Sequence, residues 1–210
     1  MVAGERLVDN NGYEIMLFPM EYMNISQGEG GSFSHNLAMD FLGWDANGRV
    51  YQCPYYAPCS CKCVAHWGSS DNATWESLNP VHCADGTIRK VTFCFNHDSS
   101  PPPVGTVLQQ GDLIGHSGTA GVATGDHMHF NTANGDYAGY SQIPGTIYYE
   151  LTNSNHIYDI CFVNDTTIVN GNGYNWKTYT GPIGPTPEPG KAKKFPWVLY
   201  AQKFRNRNRA

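Results

Sequence analysis

Two histidines, His127 and His129, are separated by one residue and follow a glycine-rich run at 115–121. In a β-strand, side chains at positions i and i+2 project from the same face, so both imidazoles would point together while Met128 turns away. Two imidazoles roughly 7 Å apart on one rigid face can divide a hydrolytic reaction, with one binding a metal and the other handling a proton of water. The pair alone does not establish such a site, because two strand histidines that face solvent are the more common arrangement.

The elements that would position these histidines are short β-strands. The 210 residues include 23 glycines, 13% are aromatic and 15% are charged, a composition typical of strands and turns. The segment at 84–87 predicts a hairpin turn. We therefore predict a mainly β, antiparallel fold without a long helix before residue 191. Predicted strands cover 13–18, 36–42, 81–83, 88–95, 147–151 and 158–163, with two short apolar pieces inside 104–115.

The formal net charge of −5 is unevenly distributed along the chain. Residues 1–190 carry six basic residues against eighteen acidic ones, whereas residues 191–210 carry seven basic residues and no acidic one. A Pro/Gly-rich stretch at 181–190 separates the two parts and predicts an extended linker. The acidic composition of the body argues against a nucleic-acid-binding core.

The basic tail at 191–210 also contains large apolar side chains. These could form the apolar side of a short helix at a membrane surface, or the tail could bind an anionic wall polymer or an acidic partner through charge alone. A disordered, solubilising end is the third interpretation. The apolar side chains concerned are Phe195, Trp197, Leu199, Tyr200 and Phe204.

Three further residues could complete a metal site with the histidine pair. His35 and Asp40 lie close together near the start of a predicted strand, and His97 follows the apolar strand at 91–95. A hydrolytic zinc site requires three protein ligands and an open position for water. His35, Asp40 and one histidine of the pair supply that set, whereas His97 could instead be a strand-end histidine that faces solvent.

In this order along the chain, these residues resemble the M23 (LytM/lysostaphin-type) zinc endopeptidases. The similarity extends over residues 25–131 and includes more than the ligands. It covers Ser26-Gln-Gly28 before the first histidine, Ala84-Asp-Gly86 in the predicted hairpin, and the segment at 107–118 that precedes the His-x-His pair. The resemblance implies an M23/LytM-like antiparallel β domain, of the duplicated hybrid motif type, that binds Zn²⁺.

By this resemblance, His35, Asp40 and His129 bind zinc, and His97 and His127 are the catalytic histidines. Zinc in such a site activates water near neutral pH and polarises the scissile carbonyl. The two catalytic histidines would orient the water, accept its proton and deliver one to the leaving amine, with His127 as the base.

One departure from the family concerns the spacing of the first two ligands. Four residues separate His35 from Asp40, where three are frequent in the family, so a bulge or a turn would have to absorb the difference. Asp45 is the alternative carboxylate ligand.

The implied function is zinc-dependent endopeptidase activity on bacterial peptidoglycan, in a cross-bridge or a stem peptide. A compact catalytic domain with a small tail and no signal peptide also resembles bacteriophage lytic enzymes. Such enzymes reach the cell wall from the host cytoplasm after a holin opens the membrane, or are carried on the virion. We expect a monomer with no apolar run long enough for a membrane span. The alternatives are a non-catalytic LytM-like binding or regulatory module of cell-wall enzymes and a zinc enzyme of another substrate class.

The predicted division of the chain follows from the resemblance and the composition. It consists of an N-terminal strand segment at 1–24, a zinc peptidase core at 25–145, a β extension at 146–180, the linker at 181–190 and the basic tail at 191–210.

Seven cysteines are present, and four of them lie within 53–63. Cys59, Cys61 and Cys63 alternate, so in a strand they would share one face. Buried free thiols that act as small apolar side chains are the default interpretation. Disulfides involving Cys83 or Cys94 are a second possibility. A structural zinc bound by strand cysteines with Cys53, His66 or Cys83 is a third, although the spacing lacks the usual two-residue separation of ligands.

Overall fold

The computed structural model describes residues 1–31, 34–67, 71–163, 168–169 and 174–184. Its secondary structure is almost entirely β. The strands are β1 (Met23–Gln27), β2 (Met39–Asp45), β3 (Gly48–Val50), β4 (Pro54–Tyr56), β5 (Cys61–Ala65), β6 (Asn72–Ser77), β7 (Val81–His82), β8 (Ile88–Arg89), β9 (Val91–Asn96), β10 (Val107–Leu108), β11 (Leu113–His116), β12 (Met128–Asn134), β13 (Tyr140–Gln142), β14 (Tyr149–Leu151) and β15 (Ser154–Asn155). One short helix, α1, spans Ile157–Ile160.

A large antiparallel sheet forms the centre of the fold, in the order β1-β2-β12-β9-β6-β5-β10, with β3 paired to β2 and β15 to β12. One face of this sheet packs into the main apolar core. Phe41, Phe95 and Phe130 lie on neighbouring strands and all are buried there. In β12 the apolar Met128 and Phe130 alternate with His129, so a single alternation sends apolar side chains to the core and histidines to the opposite face. The predicted antiparallel, mainly β fold is confirmed.

The opposite face of the sheet is half covered by the hairpin of β13 and β14. Tyr140 and Leu151, which pair across this hairpin, pack with Cys94 and Ala133 of the central strands. The Tyr140 hydroxyl also hydrogen-bonds the Thr74 hydroxyl at 2.6 Å. The hairpin leaves uncovered the part of the face that carries His129.

Several predicted strands differ from the structure. The strand predicted at 36–42 begins only at Met39, and the one predicted at 88–95 divides into β8 and β9, which belong to different sheets. Residues 13–18 form only isolated bridges, with Ile15 beside His82 and Leu17 beside Phe162. The 158–163 strand is wrong at its beginning, where helix α1 forms instead. Its buried residues are Ile157 and Ile160, which are three positions apart and therefore share one face of a helical turn.

All seven cysteines are buried free thiols, in agreement with the default interpretation. Cys61 and Cys63 project from β5 into the core, and the exposed Lys62 lies between them. Burial raises the pKa of Cys63 and Cys83 to about 11, so both are protonated at neutral pH. The alternative zinc ligand His66 instead contacts the carbonyl oxygen of Pro102 at 2.9 Å.

Much of the predicted linker and the whole basic tail lie outside the described residues, which end at 184. Within the described ranges, helices of the length and apolarity needed to cross a bilayer are absent.

Candidate metal centre

Three side chains converge on one point at the uncovered part of the sheet. His35 Nε2 lies 3.0 Å from Asp40 Oδ1, and His129 Nδ1 lies 3.0 Å from the same oxygen. The two ring nitrogens are 3.1 Å apart. Among the described residues, this is the one group of His, Cys, Asp and Glu side chains whose ligand atoms are close enough to hold a metal ion. It is the ligand set that the sequence predicted.

The donor set fits zinc in both its chemistry and its dimensions. Two imidazole nitrogens and one carboxylate oxygen are a common protein ligand set for a catalytic zinc with an open position. Tetrahedral zinc with bonds of about 2.0–2.1 Å separates its ligand atoms by roughly 3.3 Å, close to the observed spacing. Both imidazoles direct a ring nitrogen at the same oxygen of Asp40. A cation bound between the three atoms would stabilise this arrangement more than two hydrogen bonds to one oxygen.

Strand pairing places two of the three ligands. His129 of β12 lies directly opposite Asp40 of β2 in the antiparallel register. Residues opposite each other on adjacent strands project from the same face, with Cβ atoms about 4.5–5.5 Å apart, so the pairing itself brings these side chains together. Asp45, the alternative ligand, lies at the far end of β2, where it accepts the backbone N–H of Asn47 at 2.7 Å. The assignment of Asp40 therefore agrees with the structure.

The third ligand, His35, lies before β2 in a loop that Glu150 holds. The buried Glu150 carboxylate accepts backbone N–H groups from Asn36 at 2.6 Å, Leu37 at 2.9 Å and Ala38 at 2.9 Å. A turn at residues 36–38 therefore lies between His35 and Asp40, and a shift of strand register occurs beside Asp40 in β1, between Ile25 and Gln27. Sequence reasoning missed Glu150, because its partners lie more than 110 positions away and are backbone groups that no motif records.

The outer nitrogen of the His35 ring is also held in place. The Ser34 hydroxyl lies 2.9 Å from His35 Nδ1, and the Gln27 side-chain amide approaches the same atom. For Nε2 to be a metal ligand, Nδ1 must carry the ring proton, and the hydroxyl oxygen of Ser34 can accept it. Such outer partners orient a ligating histidine and fix its tautomer.

Burial and charge set the protonation states of the ligands. Burial alone would raise the pKa of Asp40, but hydrogen bonds and charge interactions with His129 and His35 outweigh it and hold that pKa well below its ordinary value. Burial lowers the pKa of His129 below 6.5. At neutral pH the site therefore contains an ionised carboxylate and a neutral His129 imidazole, the forms that bind a cation.

The two remaining histidines stand beside the ligands. The rings of His97 and His127 have centroids 4.4 Å apart, and His127 Nε2 lies 3.5 Å from Asp40 Oδ2. His127 Nδ1 donates to the carbonyl oxygen of Gly125 at 2.7 Å, so in the neutral ring Nε2 is the acceptor nitrogen, and it is directed at the site. The structure thus brings all five predicted residues together.

His97 reaches the site because the strand before it ends abruptly. Asn96, the last residue of β9, lies opposite His129 and shares its face, so a further extended residue would point to the core. Instead His97 has a backbone φ of 78°, in the left-handed region. Its Nδ1 donates to the carbonyl oxygen of Ala120 at 2.8 Å, and its ring is buried rather than facing solvent. Burial lowers the pKa of His97 below 6.5.

Asp126 anchors the chain just before the His-x-His pair. Its carboxylate accepts the Ser117 hydroxyl at 2.7 Å and the backbone N–H of Gln52 at 3.0 Å, and it forms an ion pair with Arg49. These contacts tie the start of β12 to β3 and to the glycine-rich run. Sequence reasoning missed this anchor as well.

A pocket of about 390 Å³ opens beside Asp40 and His127. Its lining includes the side chains of Gln27, Leu42 and Arg49. The pocket therefore adjoins the candidate metal ligands and places polar side chains at one end of the site.

A curated relative of this chain is a bacteriophage protein. No family model matches the chain. Morphogenesis protein 1 of Bacillus phage B103 is 45% identical over 178 residues, which cover 80% of this chain and 46% of that protein. The chain therefore spans about half the length of this curated relative.

Solved structures of peptidases are also similar. A zinc-containing peptidase from Vibrio cholerae is 16% identical, with coverage of 61% of this chain and 40% of that chain and a TM-score of 0.40. Lysostaphin from Staphylococcus simulans is 22% identical, with coverage of 56% and 45% and a TM-score of 0.40. The catalytic domain of a point mutant of the prophage-encoded M23 protein EnpA from Enterococcus faecalis is 14% identical, with coverage of 63% and 87% and a TM-score of 0.40. At these low values the similarities by themselves assign neither activity nor residues to this chain.

Proposed function

We propose that this chain is a zinc-dependent endopeptidase that hydrolyses peptide bonds in bacterial peptidoglycan. One observation carries the proposal: three ligand atoms from His35, Asp40 and His129 lie 3.0–3.1 Å apart, with two further histidines beside them. The chemistry of this set, with two nitrogen ligands and one oxygen ligand, supports zinc as the cofactor.

The five site residues fall into two groups, the metal ligands and the proton-handling histidines. His35, Asp40 and His129 would hold zinc, which when bound supplies a Lewis acid for the scissile carbonyl and for water. His97 and His127 hold and move protons. Each donates an Nδ1–H hydrogen bond to a backbone carbonyl, of Ala120 and Gly125 respectively, so Nε2 is the proton acceptor of each ring in its neutral form.

His127 is the better placed of the two to act as the base. Its Nε2 lies near Asp40 Oδ2 and therefore beside the ligand atoms. The His97 ring contacts the rings of both His127 and His129, with 6.1 Å between its centroid and that of His129. This arrangement supports His127 as the group that accepts a proton from water and His97 as the group that orients the substrate or protonates the leaving amine.

The proposed setting is a bacteriophage. The similar protein of phage B103 is named for morphogenesis, which supports a virion-associated enzyme over one released from the host cytoplasm through a holin. In either case the protein would act at the bacterial cell wall.

The test is hydrolysis of purified cell walls by the purified protein. We expect loss of wall turbidity, abolished by a chelator and restored by zinc, and new amino termini at one peptide bond in a mass-spectrometric map of the fragments. The matched control is His127→Ala, which retains the ligands. Zinc binding without hydrolysis by the unaltered protein would instead indicate a non-catalytic binding or regulatory module.

A further inference from the structure

Three aromatic side chains form a cluster at the edge of the hairpin that covers the sheet. Trp67 stacks on Tyr140, with ring centroids 4.7 Å apart and an interplanar angle of 27°, and it contacts Tyr149 at 5.6 Å. Tyr140 is fixed by its hydroxyl, which hydrogen-bonds Thr74 and Asn72. Trp67 and Tyr149 remain 44% and 45% exposed. Two broad aromatic surfaces are thus held in place and presented to solvent.

This aromatic cluster continues the row of side chains that begins at the metal ligands. Asp40, His129, Asn96 and Asn72 lie opposite one another on four neighbouring strands, so all four project from the same face of the sheet. The Asn72 side-chain amide donates to Asn96 Oδ1, and Asn72 Oδ1 accepts the backbone N–H of Trp67 at 3.4 Å. A polar strip of two asparagines therefore connects the candidate metal centre with the aromatic cluster.

An uncharged amide lies beside one of the exposed rings. Gln142 lies opposite Tyr149 in the hairpin and shares its face. The Gln142 side-chain amide donates to the carbonyl oxygen of Thr146, which holds it in place. Flat aromatic faces beside uncharged hydrogen-bonding groups suit a ligand with an apolar ring face and a polar rim. A pyranose ring has this character, with axial C–H groups on its face and hydroxyl and amide groups around its edge.

We propose that Trp67 and Tyr149 bind a sugar ring of the glycan strand from which the cleaved peptide extends. This inference rests on the proposed function, because it takes the wall polymer as the substrate.

The distance between the aromatic cluster and the candidate metal centre indicates which peptide bond of the stem peptide is cut. Two strand spacings of about 4.7–4.9 Å separate His129 from Asn72, so the aromatic cluster begins roughly 10 Å from the ligands and extends to about 15 Å. An extended peptide spans about 3.3–3.6 Å per residue. A sugar bound at Trp67 thus places the third or fourth residue of its attached peptide at the metal centre. The inferred cleavage site is far along the stem peptide, not at the bond next to the sugar.

The experiment measures co-sedimentation of the full chain with insoluble, peptide-free glycan strands prepared from cell walls. The variants are Trp67→Ala and Tyr149→Ala, and the matched control is Tyr148→Ala. Tyr148 is the preceding residue and is similarly exposed, at 42%, but it lies outside β14. We expect about tenfold weaker binding for each of the first two variants and unchanged binding for the control. Thermal unfolding of each variant establishes that it is folded.

The same variants are then compared on intact walls and on a free peptide that lacks sugar. Trp67→Ala should slow hydrolysis of walls and leave hydrolysis of the free peptide unchanged. The inference is overturned if the unaltered protein cleaves walls but does not bind the glycan, or if Tyr148→Ala weakens binding as much as Tyr149→Ala. Glycan binding that depends on Trp67 and Tyr149, without any peptidase activity, would support the sugar site and reject the proposed enzymatic function.

Discussion

Glu150 accepts the backbone N–H of Ala38 at 2.9 Å, and this contact joins the hairpin of β13 and β14 to the loop between two candidate metal ligands. The same carboxylate also binds the N–H groups of Asn36 and Leu37. Three converging N–H groups around one anion form a tight turn, and the turn sets the distance from His35 to Asp40. A segment more than 110 positions away in the sequence therefore shapes the metal centre.

We expect Glu150→Gln to weaken zinc affinity by about 10–100-fold, the usual effect of losing a group that orients a ligand. Hydrogen bonds to a charged acceptor contribute about 1.5–3 kcal/mol, so unfolding of the metal-free protein should also become easier by about 2 kcal/mol. Zinc titration and denaturant unfolding measure the two effects.

The control for this change is Glu76→Gln. Glu76 accepts a single backbone N–H, from Tyr137, and lies away from the ligand loop. If Glu76→Gln weakens zinc binding as much as Glu150→Gln does, the effect is general loss of stability and Glu150 does not position the ligands.

Substitutions should separate the ligands from the proton-handling histidines. His129→Ala should lose both zinc and activity. His127→Ala should keep zinc and lose activity by about 10²–10⁴-fold, because it removes a proton-transfer group and leaves the three ligand atoms in place. Zinc content by atomic absorption and the rate of hydrolysis, measured on the same samples, test this prediction. Loss of zinc from His127→Ala contradicts this division of roles.

The stability of the chelator-treated protein should depend on pH in a defined direction. Burial lowers the pKa of His97 and of His129 below their ordinary value of 6.5, so the unfolded chain binds protons that the folded chain excludes. Through these two histidines, the free energy of unfolding should fall as the pH drops below 6.5, by up to about 1.4 kcal/mol per pH unit for each histidine. The lowered pKa of Asp40 has its effect only below about pH 3.9.

Denaturant unfolding at pH 7.5, 6.5, 5.5 and 4.5 tests this expectation. His97→Gln should flatten the dependence, because one of the two buried imidazoles is gone. Stability that increases between pH 6.5 and pH 4.5 contradicts neutral burial of these side chains.

A thiol-specific reagent should find seven reactive cysteines only after the protein unfolds. All seven thiols are buried, and burial raises the pKa of Cys53 to about 11 and that of Cys94 to about 12. Both access and thiolate content are therefore low in the folded protein. We expect slow reaction in buffer and seven equivalents in denaturant without a reductant. Five or fewer thiols that react in denaturant would indicate a disulfide. Two equivalents of zinc per protein chain would indicate a cysteine metal site in addition to the candidate metal centre.

The sequence by itself determined the chemistry of the site. Alternation in β12 places His127 and His129 on one face and Met128 in the core, a consequence of strand geometry that needs no tertiary information. The types and order of His35, Asp40 and His97 indicated a metal site, and the resemblance to the M23 endopeptidases supplied the prediction of which residues bind zinc and which handle protons. The predicted strand at 88–95 was right from Val91 onward, where β9 lies in the central sheet, whereas Ile88 and Arg89 form β8 in a separate hairpin.

Tertiary structure decided how these groups meet. His97 faces the site only because its backbone leaves the strand conformation at φ 78°, which no periodic pattern records. Glu150 sets the His35–Asp40 turn through backbone N–H groups, and Trp67 reaches Tyr149 across two separate segments. Sequence patterns describe what each side chain can do and which face of its own element it occupies. Contacts between distant segments depend on strand register and on loop closure, which only the folded chain specifies.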